Sequence, residues 1–260
     1  MKIIIPMTGY GSRFVAAGYK ELKPFINVQG KPIIQWIING MYPGEKDILF
    51  VCRKEHLDNI PAMKEKLLQI APSAEIFSID KWVKKGPVYD VLRASGKIDD
   101  KVQCIINYCD FYMTWDWAQF KVQVGNRKCD GCIPCYTGFH PHLLRAKNVY
   151  ASCLTDKEDN LVEIREKYSF EKDKTKAKHS PGVYYFKTGR LLKEYCQRLV
   201  DSGNSLNGEY YASLPYNFMV RDGLKVWVPT NVEQFCQWGT PEDMEEYLFW
   251  TNMVRRFKKI

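Results

Sequence analysis

Short apolar runs alternate with helix-like spacing over the first hundred residues. Ile3-Ile4-Ile5, Asp47 to Cys52, Ala74 to Ile79 and Val102 to Asn107 have strand length. Near-continuous apolar character suits parallel strands buried on both faces. Between them Ile33, Ile34, Ile37, Ile38 and Met41 recur at three and four. This predicts a helix over 31–41, with Pro32 at its start and Pro43-Gly44 after its end. Leu57, Ile60, Met63, Leu67 and Leu68 predict helix over 55–70, interrupted at Pro61. Pro87 opens another helix over 87–96. Such alternation argues for an α/β chain whose mostly parallel sheet is covered on both faces.

The pattern changes after Asp110. Residues 130–136 and 149–168 read as β segments, with a polar turn at 156–160. The lysine-rich stretch 170–181 lacks apolar periodicity and reads as an exposed loop. Val183 to Phe186 is a further strand, and 188–201 a helix. The last helix, about 241–257, begins at Thr240-Pro241-Glu242-Asp243. Thr240 is placed to cap it, Pro241 takes the first helical position, and Asp243 the capping-box position. One domain over 1–260 is expected. Within it, residues 1–124 form the alternating section, 125–232 a β-rich subdomain, and 233–260 contain the C-terminal helix.

The chain has 260 residues and a formal net charge of +8. That charge suits an anionic ligand. The lysines are scattered rather than clustered, so it does not single out nucleic acid. No apolar run has the length of a membrane span. The N-terminal apolar stretch is too short for a signal peptide, so a cytoplasmic chain is expected. Nine cysteines then read as reduced thiols.

The chemistry concentrates after the first strand, at Pro6-Met7-Thr8-Gly9-Tyr10-Gly11-Ser12-Arg13-Phe14. Two glycines let the backbone turn and a bulky ligand approach. Successive N–H groups in such a turn form an anion-holding concavity. Arg13 adds a planar donor fork and Lys23 a point charge. The simplest reading is a polyphosphate cradle. It is not the dinucleotide fingerprint, whose third glycine would fall at Phe14, nor a Walker A loop, which ends Gly-Lys-Ser/Thr. Asp110 follows an apolar strand, where α/β sheets bind ligands. It is either a turn residue or a carboxylate that holds Mg²⁺ together with substrate phosphates. Cys129-x-x-Cys132-x-x-Cys135, with His140 and His142 nearby, looks like a metal cluster. In a strand, however, Cys129 and Cys135 lie roughly 20 Å apart and Cys132 faces the other way, so buried thiols are favoured.

The order Gly9-x-Gly11-x-Arg13-Phe14, Lys23-Pro24, Gly30-Lys31-Pro32 resembles the signature of the sugar-phosphate nucleotidyltransferases. These are the glucose-1-phosphate thymidylyltransferases and related uridylyl-, guanylyl- and cytidylyltransferases. The resemblance implies a Rossmann-like sheet, with 1–124 binding the nucleotide and 125–232 as an acceptor-side subdomain. It also implies transfer of a nucleotidyl group from a nucleoside triphosphate to a phosphorylated small molecule, with release of pyrophosphate. Thr8, Gly9, Gly11, Ser12, Arg13, Lys23 and Gly86 would bind the nucleotide, with Arg13 and Lys23 catalytic, Gly86 beside the base, and Asp110 holding Mg²⁺. Lys167, after Glu166, would fix the acceptor phosphate, with Gly182 and Glu209 in the acceptor pocket. One departure stands out. The family often carries an aspartate two residues before its Gly-Thr as a second metal ligand; here that position is Gln237, a neutral and poorer ligand.

A sugar 1-phosphate for surface polysaccharide is the default acceptor. A cytidylyltransferase for phosphocholine or another amino-bearing phosphate is the alternative, with Tyr184, Tyr185, Tyr210 and Tyr211 as candidate cation-holding rings. A non-catalytic sugar-nucleotide binder is a third reading. No nucleic-acid or membrane partner is expected; a homo-oligomer is open.

Overall fold

The computed structural model describes residues 1–257. The last three residues of the expected C-terminal segment lie outside them. The main sheet has seven strands: β1 (Lys2–Pro6), β2 (Ile48–Arg53), β3 (Glu75–Ile79), β4 (Cys104–Asn107), β5 (Gly131–Cys132), β6 (Val183–Phe186) and β7 (Val226–Trp227). Their order is β7-β5-β6-β4-β1-β2-β3. Only β6 is reversed: it pairs antiparallel with β4 and β5, whereas β1 pairs parallel with β2 and β4, β2 with β3, and β5 with β7. The sheet is therefore mixed and mostly parallel.

Its first strand shows why the opening run is apolar throughout. Ile3 and Ile5 pack into one core layer and Ile4 into the other. Alternate side chains leave a strand on opposite faces, and both faces here are covered by helices. The chain leaves β1 toward β2 on one side, while β4 lies on the other. That reversal opens a crevice at the carboxyl ends of β1 and β4.

Three smaller sheets complete the fold. Ser152–Thr155 lies between Leu161–Arg165 and Lys178–His179, antiparallel to both. Gln234–Gln237 pairs antiparallel with Phe111–Thr114. Asn27–Val28 and Lys31–Pro32 form a short hairpin. The C-terminal helix Pro241–Phe257 closes the described chain. Asp243 N–H donates to Thr240 Oγ1 at 3.2 Å, the expected cap.

Several expectations are corrected. The predicted 31–41 helix begins only at Ile33, because Pro32 is extended (ψ 151°) and belongs to the hairpin. It then widens into a π-turn at Ile37–Met41. Gly40 lies there against Tyr112: a Cβ at Gly40 would stand 2.7 Å from the Tyr112 ring. The 130–136 segment keeps only Gly131–Cys132 in the ladder, with an isolated bridge from Tyr136 to His179. The stretch 170–181 is exposed only in part. His179 is fully buried and exchanges both backbone hydrogen bonds with Tyr136 at 3.0 Å. Helices at Trp117–Arg127 and Pro215–Arg221 have no counterpart in the sequence reading.

Candidate active site

A cleft of about 330 Å³ opens at the carboxyl ends of β1 and β4. Thr8, Gly9, Gly11, Ser12, Arg13, Lys23, Gly86, Asp110 and Glu209 all line it. The glycine loop is held from both sides. Gly11 takes φ +62° and starts the short helix Ser12–Ala16, whose Phe14 is buried as an anchor. Thr8, only 5% exposed, donates its hydroxyl to Asp90, and its carbonyl accepts from Arg53 Nε at 2.5 Å. Arg53 is 1% exposed and packs against both Tyr10 (3.4 Å) and Trp82 (3.9 Å), two rings set edge to face 5.4 Å apart. Asp90 also accepts from Trp82 Nε1 at 3.0 Å. Burial raises its carboxyl to about 6, against the two hydrogen bonds that lower it. The loop thus rests on a buried Arg–Thr–Asp–Trp network.

Opposite the loop, Lys23 Nζ meets Asp110 Oδ2 at 2.7 Å. Gly239 stands over this pair; a Cβ there would lie 3.4 Å from Asp110 Oδ2. Gln237 sits in the strand ladder opposite Phe111, the residue after Asp110. Its Nε2 donates to Asp243 Oδ2 at 2.5 Å, and its Oε1 is buried without a partner. Asp243 is further held by Arg145 at 2.5 Å and by the Thr240 hydroxyl at 2.7 Å, so its carboxylate is fully engaged. Among the described residues no group of three or more His, Cys, Asp or Glu is arranged to hold a metal. The one carboxylate at the pair is Asp110. That fits a Mg²⁺ bound mainly through substrate phosphates, and not a cage supplied by protein alone.

The other end of the cleft is walled by Tyr108, Glu209 and Tyr211. Glu209 pairs with Lys84 at 3.0 Å. Glu166 accepts from the Ser213 hydroxyl, and burial pushes its carboxyl up to about 7, with the Lys167 charge opposing. Lys167, at φ +53°, carries its ammonium 5.6 Å above the Tyr211 ring. Gly182 stands behind the wall: a Cβ there would meet the Tyr108 ring at 3.0 Å. Tyr184 and Tyr185, candidates for cation-holding rings, are 2% and 1% exposed and belong to the core.

Gly86 serves the chain as well as the cleft. At φ +88°, a Cβ would come within 2.7 Å of Tyr210 N. Tyr210 N–H donates to Lys85 O at 2.8 Å, and Val88 N–H to Tyr210 O at 3.2 Å. The glycine therefore lets two cleft walls be stitched together.

Cys129, Cys132 and Cys135 are all buried; the first two face one core layer and Cys135 the other. Cys135 lies 3.8 Å from Cys153. His140 and His142 are 5% and 6% exposed around Tyr136, so their segment is an interior one. Sequence reading did not reach Arg53, Trp82, Asp90, Tyr108 or Ser213. A buried arginine at a strand end and an aspartate inside an apolar helix face were the available signals.

Solved structures share this architecture. A nucleoside-diphosphate-sugar pyrophosphorylase from Vibrio cholerae RC9 matches at TM-score 0.73 and 19% identity, over 95% of this chain and 99% of that one. An apo UDP-glucose pyrophosphorylase matches at TM-score 0.73 and 14% identity, over 98% of each. The inositol-1-phosphate CTP transferase from T. maritima matches at TM-score 0.70 and 15% identity, over 93% and 90%. No protein-family model and no curated protein matches the sequence. The likeness is one of fold: the chain has the fold of the sugar-phosphate nucleotidyltransferases.

Proposed function

We propose that this chain is a Mg²⁺-dependent nucleotidyltransferase of that family. It joins a nucleoside triphosphate to a phosphorylated small molecule and releases pyrophosphate. The observation that carries the reading is the convergence of the glycine loop, Arg13, Lys23 and Asp110 in one cleft at the switch point of the sheet.

The roles follow from position. The N–H groups of the loop and Arg13 take the triphosphate tail and then the leaving pyrophosphate. Lys23 leaves Asp110 for the α-phosphate and neutralises charge as the acceptor phosphate oxygen attacks phosphorus. The bond to the β-phosphate breaks in the same displacement, so no protein nucleophile is needed. Asp110 would hold the Mg²⁺, which supplies charge neutralisation and alignment of phosphate oxygens. Lys167 fixes the acceptor phosphate, and Glu166 and Glu209 face the rest of the acceptor. Apart from Tyr108, the division follows the chain: residues 1–124 serve the nucleotide and 125–232 the acceptor.

A sugar 1-phosphate, made into a nucleotide sugar for surface polysaccharide, is the favoured acceptor. Carboxylates suit its hydroxyls, and the fold neighbours include enzymes named for UDP-glucose and for inositol 1-phosphate. Glu209 beside the Tyr108 and Tyr211 rings also suits an ammonium group, which keeps the amino-bearing phosphate as the second reading. The proposed setting is the cytoplasm, where nine free thiols stay reduced. Among the described residues no helix is long and apolar enough to cross a membrane.

The test is pyrophosphate release with Mg²⁺ over a grid of five nucleoside triphosphates against sugar 1-phosphates and non-sugar phosphomonoesters. Turnover in one cell identifies both substrates. No turnover and no triphosphate binding would defeat the enzyme reading, and tight nucleotide binding without turnover under any acceptor would favour the non-catalytic binder.

A further inference from the structure

The C-terminal helix Pro241–Phe257 is fixed to the body by its first and middle turns. Met244 is fully buried, and Gln29 Nε2 donates to Thr251 Oγ1 at 2.6 Å. Beside that anchored side, Phe249, Trp250, Val254 and Phe257 stand 58%, 58%, 52% and 66% exposed. Steps of one, three and four residues put them, with Met253, on a single stripe. Three aromatic side chains of roughly 150–250 Å² each, more than half open, make a patch of the size that marks an interaction surface.

The charges on this face are ordered. Glu246 and Glu242 continue the stripe one and two turns before Trp250, and both are exposed. Arg256 borders it at the other end, seven residues after Phe249, and is exposed too. From start to finish the face reads acidic, apolar, basic. Laid antiparallel on a second copy, it is complementary to itself. A twofold axis at the level of Thr251 sets Glu246 opposite Arg256 of the second copy and Phe249 opposite its Met253. A parallel arrangement would oppose like charges. An anionic lipid surface would meet the two glutamates along with the aromatics, which is unfavourable.

We propose that this face is the contact of a homodimer, two C-terminal helices packed antiparallel about a twofold axis. The inference is independent of the chemistry assigned to the cleft. Sedimentation velocity on the full chain, from low to tens of micromolar, should show a dimer. Trp250→Glu should weaken self-association about 100-fold while far-UV circular dichroism shows the wild-type secondary structure. Glu246→Arg and Arg256→Glu should each weaken it about tenfold, and the double variant E246R/R256E should recover it. A monomer across that range overturns the proposal, as does a dimer that Trp250→Glu leaves intact. So does failure of the charge swap to recover association. A wild-type monomer that co-sediments with phosphatidylserine vesicles overturns it as well, assigning the face to lipid.

Discussion

The two ends of the cleft are built in different ways. The end assigned to the nucleotide hangs from one loop of six residues, clamped from behind by Arg53, Asp90 and Trp82. The end assigned to the acceptor is assembled from Tyr108, Glu166, Lys167, Glu209, Tyr211 and Ser213, which come from separate stretches of chain. The first is stiff; the groups behind it, Thr8, Arg53, Asp90 and Trp82, are paired before any ligand arrives. The second depends on tertiary placement, and its central carboxyl, Glu166, is held near neutrality by burial. A rigid phosphate cradle suits a common polyphosphate, whereas a wall of separate side chains is where one chain can differ from another in what it accepts.

The largest effect tests the junction between the two ends. Lys23→Ala or Asp110→Asn should lower turnover by two to three orders of magnitude, about 3–4 kcal/mol, with the melting temperature nearly unchanged. Because the two side chains pair, the double variant should lose little more than either single one. Near-normal pyrophosphate release by Lys23→Ala would break the assignment.

The next effect separates the halves. Arg53→Met removes the support of the Thr8 carbonyl and the cation over the Tyr10 and Trp82 rings. It should cost about 2–4 kcal/mol of stability, read by denaturant unfolding. It should also raise KM for the triphosphate about tenfold or more, and leave KM for the acceptor alone. Glu166→Gln should do the reverse, raising acceptor KM roughly tenfold with triphosphate KM unchanged. Equal changes in both constants for either variant would mean the halves are not separable.

The smallest effects are in stability against pH. Asp90 and Glu166 have raised carboxyls, about 6 and about 7, so the folded state holds their protons more tightly. Their contribution is complete below the ordinary carboxyl range and is lost as pH rises through 6 and 7. Glu166→Gln should flatten that loss in melting curves taken between pH 5 and 8. The interior histidines act in the opposite sense. Burial lowers His140 and His179, and takes His142 down to about 3. Burying a neutral imidazole in this way opposes its protonation, so these side chains destabilise the folded state as pH falls from 6.5 toward 3. The loss is about 1.4 kcal/mol for each pH unit that separates the folded and unfolded pKa values. His142→Asn should move the acid unfolding midpoint down; an unmoved midpoint would show that other groups set it.

The sheet was legible because buried parallel strands write themselves as short apolar runs. The glycine loop could be nominated as one stretch because its residues are adjacent in sequence, and the structure gathers them in the cleft. Lys23 and Asp110 could be nominated singly, but nothing in their spacing of 87 residues announced the ion pair between them. The acceptor wall was the least legible, since Glu166 meets Ser213 only through a fold that brings residues 47 positions apart together. Tyr184 and Tyr185 show the converse error: a tyrosine in a central strand has the same chemistry as one on a wall, and only burial distinguishes them. The exposed-loop reading of 170–181 failed because lysines hid one short strand, Lys178–His179, that completes a sheet.

The stitch between residues 85–88 and Tyr210 has a thermodynamic corollary. The rim beside Gly86 and the wall carrying Glu209 and Tyr211 share backbone hydrogen bonds, so neither can shift alone. A ligand that settles one of them spends less free energy ordering the other. Occupancy of either substrate site should then tighten its counterpart, by the same factor in both directions.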